Sequence, residues 1–201
     1  MTLTVLNVAY PLAPVSQDAV GGAEQVLVAL DKALVEAGHR SIVLACEGSS
    51  VAGTLFAAPA ESGMLDEAAK QRAHARHRDA ITAVRRRWPV DLVHLHGIDF
   101  DAYLPQDGPT LVTLHLPLDW YPPGALEPAR DDLWMHAVSA SQQARARPPA
   151  QGFAPRYRTA STSRRSLAAT PGATSASCSA ASARKRACIW RSTRRVWPNC
   201  R

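Results

Sequence analysis

The feature that most restricts the fold lies near the N-terminus. Leu3-Thr4-Val5-Leu6-Asn7-Val8-Ala9-Tyr10 is a short apolar run of strand length, and Asp18-Ala19-Val20-Gly21-Gly22-Ala23-Glu24 follows as a glycine loop. From Ala23 to Ala37, the residues Val26, Leu30, Ala33, Leu34 and Ala37 recur at the spacing of one helix face. Gly38 stands where a left-handed C-terminal cap is expected, and Ser41-Ile42-Val43-Leu44-Ala45 is a second apolar run. Strand, glycine loop, helix and strand make a βαβ unit, which commits the chain to parallel strands joined by crossovers. Two adjacent glycines let backbone approach a ligand closely, and the first N–H groups of a helix lack internal partners, so such a loop can receive an anion. The same Gly-Gly serves equally well as a tight turn. It is neither standard nucleotide cradle: no third glycine follows at the dinucleotide spacing, and no Gly-Lys-Ser/Thr completes a P-loop.

The pattern repeats downstream. Gly48 to Gly53 reads as a turn and Thr54-Leu55-Phe56-Ala57 as a short edge strand. Leu65 to Trp88 reads as a helix with Ala68, Ala69, Ala73, Ala80, Ile81 and Val84 as its apolar stripe. His74, His77 and the run Arg85-Arg86-Arg87 are expected on its wet faces, the arginines compensating the helix dipole, and Pro89 stops the helix. Asp91-Leu92-Val93-His94-Leu95-His96 and Thr110-Leu111-Val112-Thr113-Leu114-His115 are buried strands that each end in histidine, with a short helix between them at Ile98 to Leu104. Leu133 to Val138 is a further strand, and Ser139 is the N-cap of a helix over Ala140 to Ala146. Strands alternating with helices predict a doubly wound parallel α/β sheet, whose ligand crevice lies beyond the carboxyl ends of the strands. Gly21, Gly22, His96 and His115 all fall on that edge. A single histidine there is ordinarily structural; two beside a glycine loop point to a site.

Charge divides the chain at about residue 150. Residues 1–150 hold all 17 Asp and Glu and 12 Lys and Arg, a net charge of −5. Residues 151–201 hold 11 Lys and Arg and no acid. Cys178, Cys188 and Cys200 lie in that tail without a Cys-x-x-Cys pair, and no histidine follows His136, so zinc is not expected. Cys46, at a strand end, reads as a buried apolar residue. No apolar stretch is long enough for a spanning helix and no signal peptide is legible, so a cytoplasmic location is expected.

Taken in order, Gly21-Gly22-Ala23-Glu24, Gly38-His39, Asp91-Leu92-Val93-His94-Leu95-His96, Leu111-Val112-Thr113-Leu114-His115 and Ala137-Val138-Ser139 resemble the N-terminal half of a family 4 (group 1) glycosyltransferase over roughly residues 3–150. The resemblance implies a GT-B arrangement, two Rossmann-like domains facing across a cleft. It implies transfer of a sugar from a nucleotide-sugar donor to a small-molecule, lipid or glycan acceptor, with retention, without a metal or other cofactor, and with room for peripheral membrane contact. Residues 1–150 would then be the acceptor-side domain. The resemblance places Gly21, Gly22, Glu24 and His96 near the donor phosphates and the acceptor. It gives His115 a catalytic position beside the transferred sugar, where a preorganised dipole faces a forming oxocarbenium ion.

The family's second domain, with its Gly-Arg…Lys-Gly segment and paired glutamates, is not legible after Gln151. The Arg/Ala/Ser/Thr/Pro mixture there is what GC-rich coding DNA yields out of register. Shifted by one frame, Arg158–Ser163 can read Asn-Gly-Val-Asp-Leu, and Ser179–Ala187 can read Gly-Arg-Ile-Cys-Pro-Glu-Lys-Gly. The expectation is a frame slip near Pro155–Tyr157, a tail without a native fold, and a truncated chain that transfers little or no sugar alone. The alternative is a nucleic-acid or anionic-surface binding protein that uses the basic tail, with Trp190 and Trp197 for stacking. A third class, a NAD enzyme or sugar-nucleotide epimerase, is disfavoured by the missing glycine fingerprint. Trp120 and Tyr121 could flank an acceptor pocket or simply pin a loop.

Overall fold

In the computed structural model, residues 1–61, 63–127 and 130–146 are described. Their strands are β1 (Thr4–Val8), β2 (Arg40–Cys46), β3 (Thr54–Ala58), β4 (Leu92–Leu95), β5 (Thr110–Leu114) and β6 (Leu133–Ala137). They form one sheet in the order β3-β2-β1-β4-β5-β6, and every neighbouring pair is parallel. Helices α1 (Gly22–Glu36), α2 (Glu67–Arg87) and α3 (Ala140–Arg145) complete the α/β arrangement, with short 3-10 turns at Phe100–Tyr103 and Leu118–Trp120. The doubly wound fold expected from the sequence is the fold observed. The expectations for the tail, its lack of a fold, its shifted frame and its use as a basic binding arm, lie outside the described residues.

Strand alternation assigns the two faces of the sheet. Leu6, Val8, Ile42, Leu44, Val93, Leu95, Val112, Leu114, Leu133 and Met135 pack with Ile81 and Val84 of α2 in the larger core. Val43 and Ala45 point the other way and meet Leu27 of α1 in a smaller one. Each fully buried Leu or Ile stabilises by about 2 kcal/mol, so the first set dominates the hydrophobic drive to fold.

Local signals set the helix ends. After Ala37, Gly38 takes φ +78°, while Gly38 N donates to Val35 O and His39 N to Leu34 O. That hydrogen-bond pair is the Schellman closure a glycine favours. Asp66 caps α2 by accepting from Ala69 N at 2.8 Å, and Ser139 caps α3 by accepting from Gln142 N at 3.1 Å.

Two expectations about helix faces need correction. On α1, Val26, Ala33 and Ala37 are exposed; the inward residues are Leu27 and Asp31. Asp31 is buried because the β2–β3 crossover passes beside it. Its Oδ2 accepts from Ala52 N at 2.6 Å and Gly53 N at 3.1 Å, two backbone donors with no strand partner. On α2, His77 is not wet but 1% exposed, continuing the Ala69–Ala73 row at the next i+4 position, and Ala68 is exposed instead. His74 is largely buried against Asp99.

Candidate active site

The strand order reverses between β1 and β4. The chain leaves β1 toward β2 on one face and leaves β4 toward β5 on the other, so a crevice opens beyond the carboxyl ends of these two strands. The β1–α1 loop brings Gly21, Gly22 and Glu24 to this edge, the end of β4 brings His96, and the end of β5 brings His115.

The two histidines meet. His96 Nδ1 lies 3.0 Å from His115 Nε2, with the rings stacked at 25° and 5.3 Å between centroids. His94, one strand pleat below, lies 4.1 Å from His96 between ring centroids and shares a hydrogen bond with Thr113 Oγ1 at 2.7 Å. Burial strips these imidazoles of water, which disfavours the charged form, and neighbouring histidines add to the effect. The pKa of His94 is lowered to about 3 and that of His115 to about 4, while that of His96 falls well below 6.5. At neutral pH the pair is therefore uncharged and shares one proton. Two neutral imidazoles joined by one hydrogen bond leave one donor and one acceptor at their outer nitrogens, and a tautomer flip exchanges the two. The outer nitrogen of His96, Nε2, is buried and has no hydrogen-bond partner.

Gly21 is the N-cap of α1 in extended backbone, and the Glu24 side chain folds back over it. A Cβ at Gly21 would stand 1.7 Å from Glu24 Oε2, so only glycine leaves room for this arrangement. Glu24 occupies the place of a capping-box acid and complements the helix dipole without making a side-chain cap hydrogen bond. A negative charge thus already stands at the helix start.

Beyond β4 the backbone carries a clamp that sequence reading missed. Tyr103 donates to Asp99 Oδ1 at 2.9 Å, and His74 Nε2 of α2 meets Asp99 Oδ2 at 2.5 Å. Gly97 permits it, because a Cβ there would lie 1.9 Å from Tyr103 Oη. Tyr10, at the end of β1, is half-buried, and its hydroxyl is made less acidic by burial and by the charges of Asp99 and Glu24. The clamp has no linear motif, since its members come from α2, the β4 loop and a 3-10 turn. The one available signal was His77 falling on the apolar stripe, which turns the same helix side toward the β4 loop.

Among the described residues no group of three or more His, Cys, Asp or Glu is placed to hold a metal ion, and no helix is long and apolar enough to cross a membrane. The carboxyl edge carries a neutral donor–acceptor histidine pair, with the carboxylates of Glu24 and Asp99 and the phenol of Tyr10 on the segments that leave β1 and β4. Among curated proteins none matches the chain. Residues 20–147, well over half of the chain, match the family model described as Glycosyltransferase Family 4. The match spans the glycine loop, both histidine-ended strands and the capped α3, and the chain belongs to glycosyltransferase family 4.

Proposed function

We propose that residues 1–150 are the acceptor-side domain of an enzyme that moves a sugar from a nucleotide-sugar donor to a hydroxyl-bearing acceptor, and that His115 is its catalytic histidine. The observation that carries this reading is the His96–His115 pair at the carboxyl edge of a family 4 sheet. A neutral imidazole can hydrogen-bond a sugar hydroxyl and face a forming oxocarbenium ion without repelling it, whereas an imidazolium would oppose that charge. His96 couples the tautomer of His115 to its own through the shared proton. Gly21 and Gly22 let a ligand approach the backbone. Glu24 sits where a donor phosphate would compete with it, so in this reading Glu24 swings from Gly21 before a phosphate reaches the helix start.

The test is sugar binding by the full chain, followed by ligand-detected NMR with a set of mono- and disaccharides. The reading expects at least one sugar to bind, and His115→Ala to weaken it about tenfold, the scale of one buried polar contact. Absence of binding by every sugar, or binding indifferent to both His115→Ala and His96→Ala, would overturn it.

A further inference from the structure

The two histidines of the pair are held in different ways. His96 N donates to Val8 O at 3.0 Å, so its backbone is fixed by β1. The β4–β5 register ends at Leu95 opposite Val112, and the β5–β6 register ends at Leu114 opposite Ala137. His115 therefore stands beyond the last rung on both sides of β5. Backbone groups past the end of a ladder need other partners when buried. Here side chains supply them. Gln142 of α3 donates through Nε2 to Leu114 O at 3.0 Å and to Leu116 O at 2.7 Å, the carbonyls on either side of His115. Tyr121 Oη accepts from Leu116 N at 3.3 Å. Gln142 is 9% exposed, and its Oε1 accepts from Val138 N at 2.8 Å. Both amide hydrogens and the amide oxygen of Gln142 are thus engaged.

Gln142 is the third residue of α3 after the Ser139 N-cap, where a glutamine or glutamate ordinarily reaches back to the helix start in a capping box. A glutamate does that work as well as a glutamine. Only the amide can accept from the helix start and also donate to two carbonyls. We propose that Gln142 is a positioning residue: by clamping the carbonyls of Leu114 and Leu116 it holds the His115 ring at its 3.0 Å contact with His96. The inference rests on the acceptor-side reading above for what His115 does, and adds the group that keeps it in place.

Gln142→Glu in the full chain separates capping from positioning, because it keeps an acceptor for Val138 N and turns a carboxylate oxygen toward the two carbonyls. The first readout is ring-nitrogen NMR of the histidines without ligand. The unmodified chain should show His96 Nδ1 and His115 Nε2 coupled through their shared proton. In Gln142→Glu that coupling should be lost and both signals should shift, while His39 stays in place. Asp31→Ala, which destabilises the chain beside the β2–β3 crossover, should leave the coupling intact. The second readout is affinity for the sugars tested above. Gln142→Glu should weaken binding about fivefold, and should add nothing once His115→Ala is present, the mark of a residue that acts through His115. Tyr121→Phe deletes one hydroxyl and should move the His115 signal the same way by less; it decides the matter should Gln142→Glu not fold. Unmoved His96 and His115 signals, or equal weakening with and without His115, would overturn the positioning inference and leave the acceptor-side reading standing. Loss of the coupling in a chain that binds no sugar in any form would overturn the acceptor-side reading and leave Gln142 as the group that places His115.

Discussion

Lowering the pH from 7.5 to 5.0 should destabilise the fold through its buried histidines His77, His94, His96 and His115. His77 is 1% exposed and packed edge-on to Tyr103, 5.3 Å between ring centroids. Its pKa is lowered from 6.5 to about 4, chiefly by burial, with Asp99 opposing and His74 reinforcing the shift. His94 is lowered to about 3 by burial, His115 and His136. A depressed folded pKa means that the unfolded chain binds the extra proton first. Stability is therefore complete above about pH 6.5 and falls as the pH drops toward the folded values. At pH 5.0 His77, His94 and His115 each cost about 2 kcal/mol relative to pH 7.5, about 6 kcal/mol together, and His96, whose pKa also falls well below 6.5, adds in the same direction. Carboxylates remain mostly ionised at pH 5.0 and contribute little. With the urea dependence usual for a domain of this size, the midpoint should fall by about 3 M. Urea titration followed by circular dichroism at the two pH values measures this directly. His77→Leu should remove about 2 kcal/mol of the pH effect, whatever it does to stability at pH 7.5. A midpoint that stays within about 0.3 M between the two pH values, or a His77→Leu chain that keeps the full pH shift, would refute the reasoning.

Other perturbations follow from the same contacts. Gly97→Ala drives a Cβ into Tyr103 Oη and should cost about 3 kcal/mol in a urea titration; adding Tyr103→Phe, which deletes that oxygen, should recover part of the loss. Asp31→Ala strands the amides of Ala52 and Gly53 and should cost about 3 kcal/mol, whereas Asp31→Asn, which keeps an acceptor oxygen, should cost less than half of that. The gene's nucleotide sequence, read in the shifted register beyond Pro155, should encode the Gly-Arg…Glu-Lys-Gly string without stop codons; stop codons there would end the frame-slip account.

The sheet was legible because its central strands β1, β2, β4 and β5 are near-continuous apolar runs buried on both faces, and because glycine, proline and serine punctuate the helices at their ends. The helix faces were less legible. Hydropathy counts Asp31 as wet and Val26 as dry, yet a passing crossover gives Asp31 two donors while Val26 remains exposed. The histidine pair could be placed on the right edge from strand ends alone. Its contact could not be foreseen, since 3.0 Å between His96 and His115 depends on the β4–β5 register, Val93 opposite Thr110. The His74–Asp99–Tyr103 clamp was invisible for a similar reason: α2 and the β4 loop become neighbours only once the sheet is assembled.

The central claim, that the carboxyl edge holding His96 and His115 is where sugar binds, is tested most directly by ring-nitrogen NMR of the histidines during a sugar titration. The account predicts that the His96 and His115 signals move together and saturate with the binding curve, while His39, whose Nδ1 accepts from Leu3 N at the opposite end of the sheet, stays in place. Saturable binding with the His96 and His115 signals unmoved would contradict it.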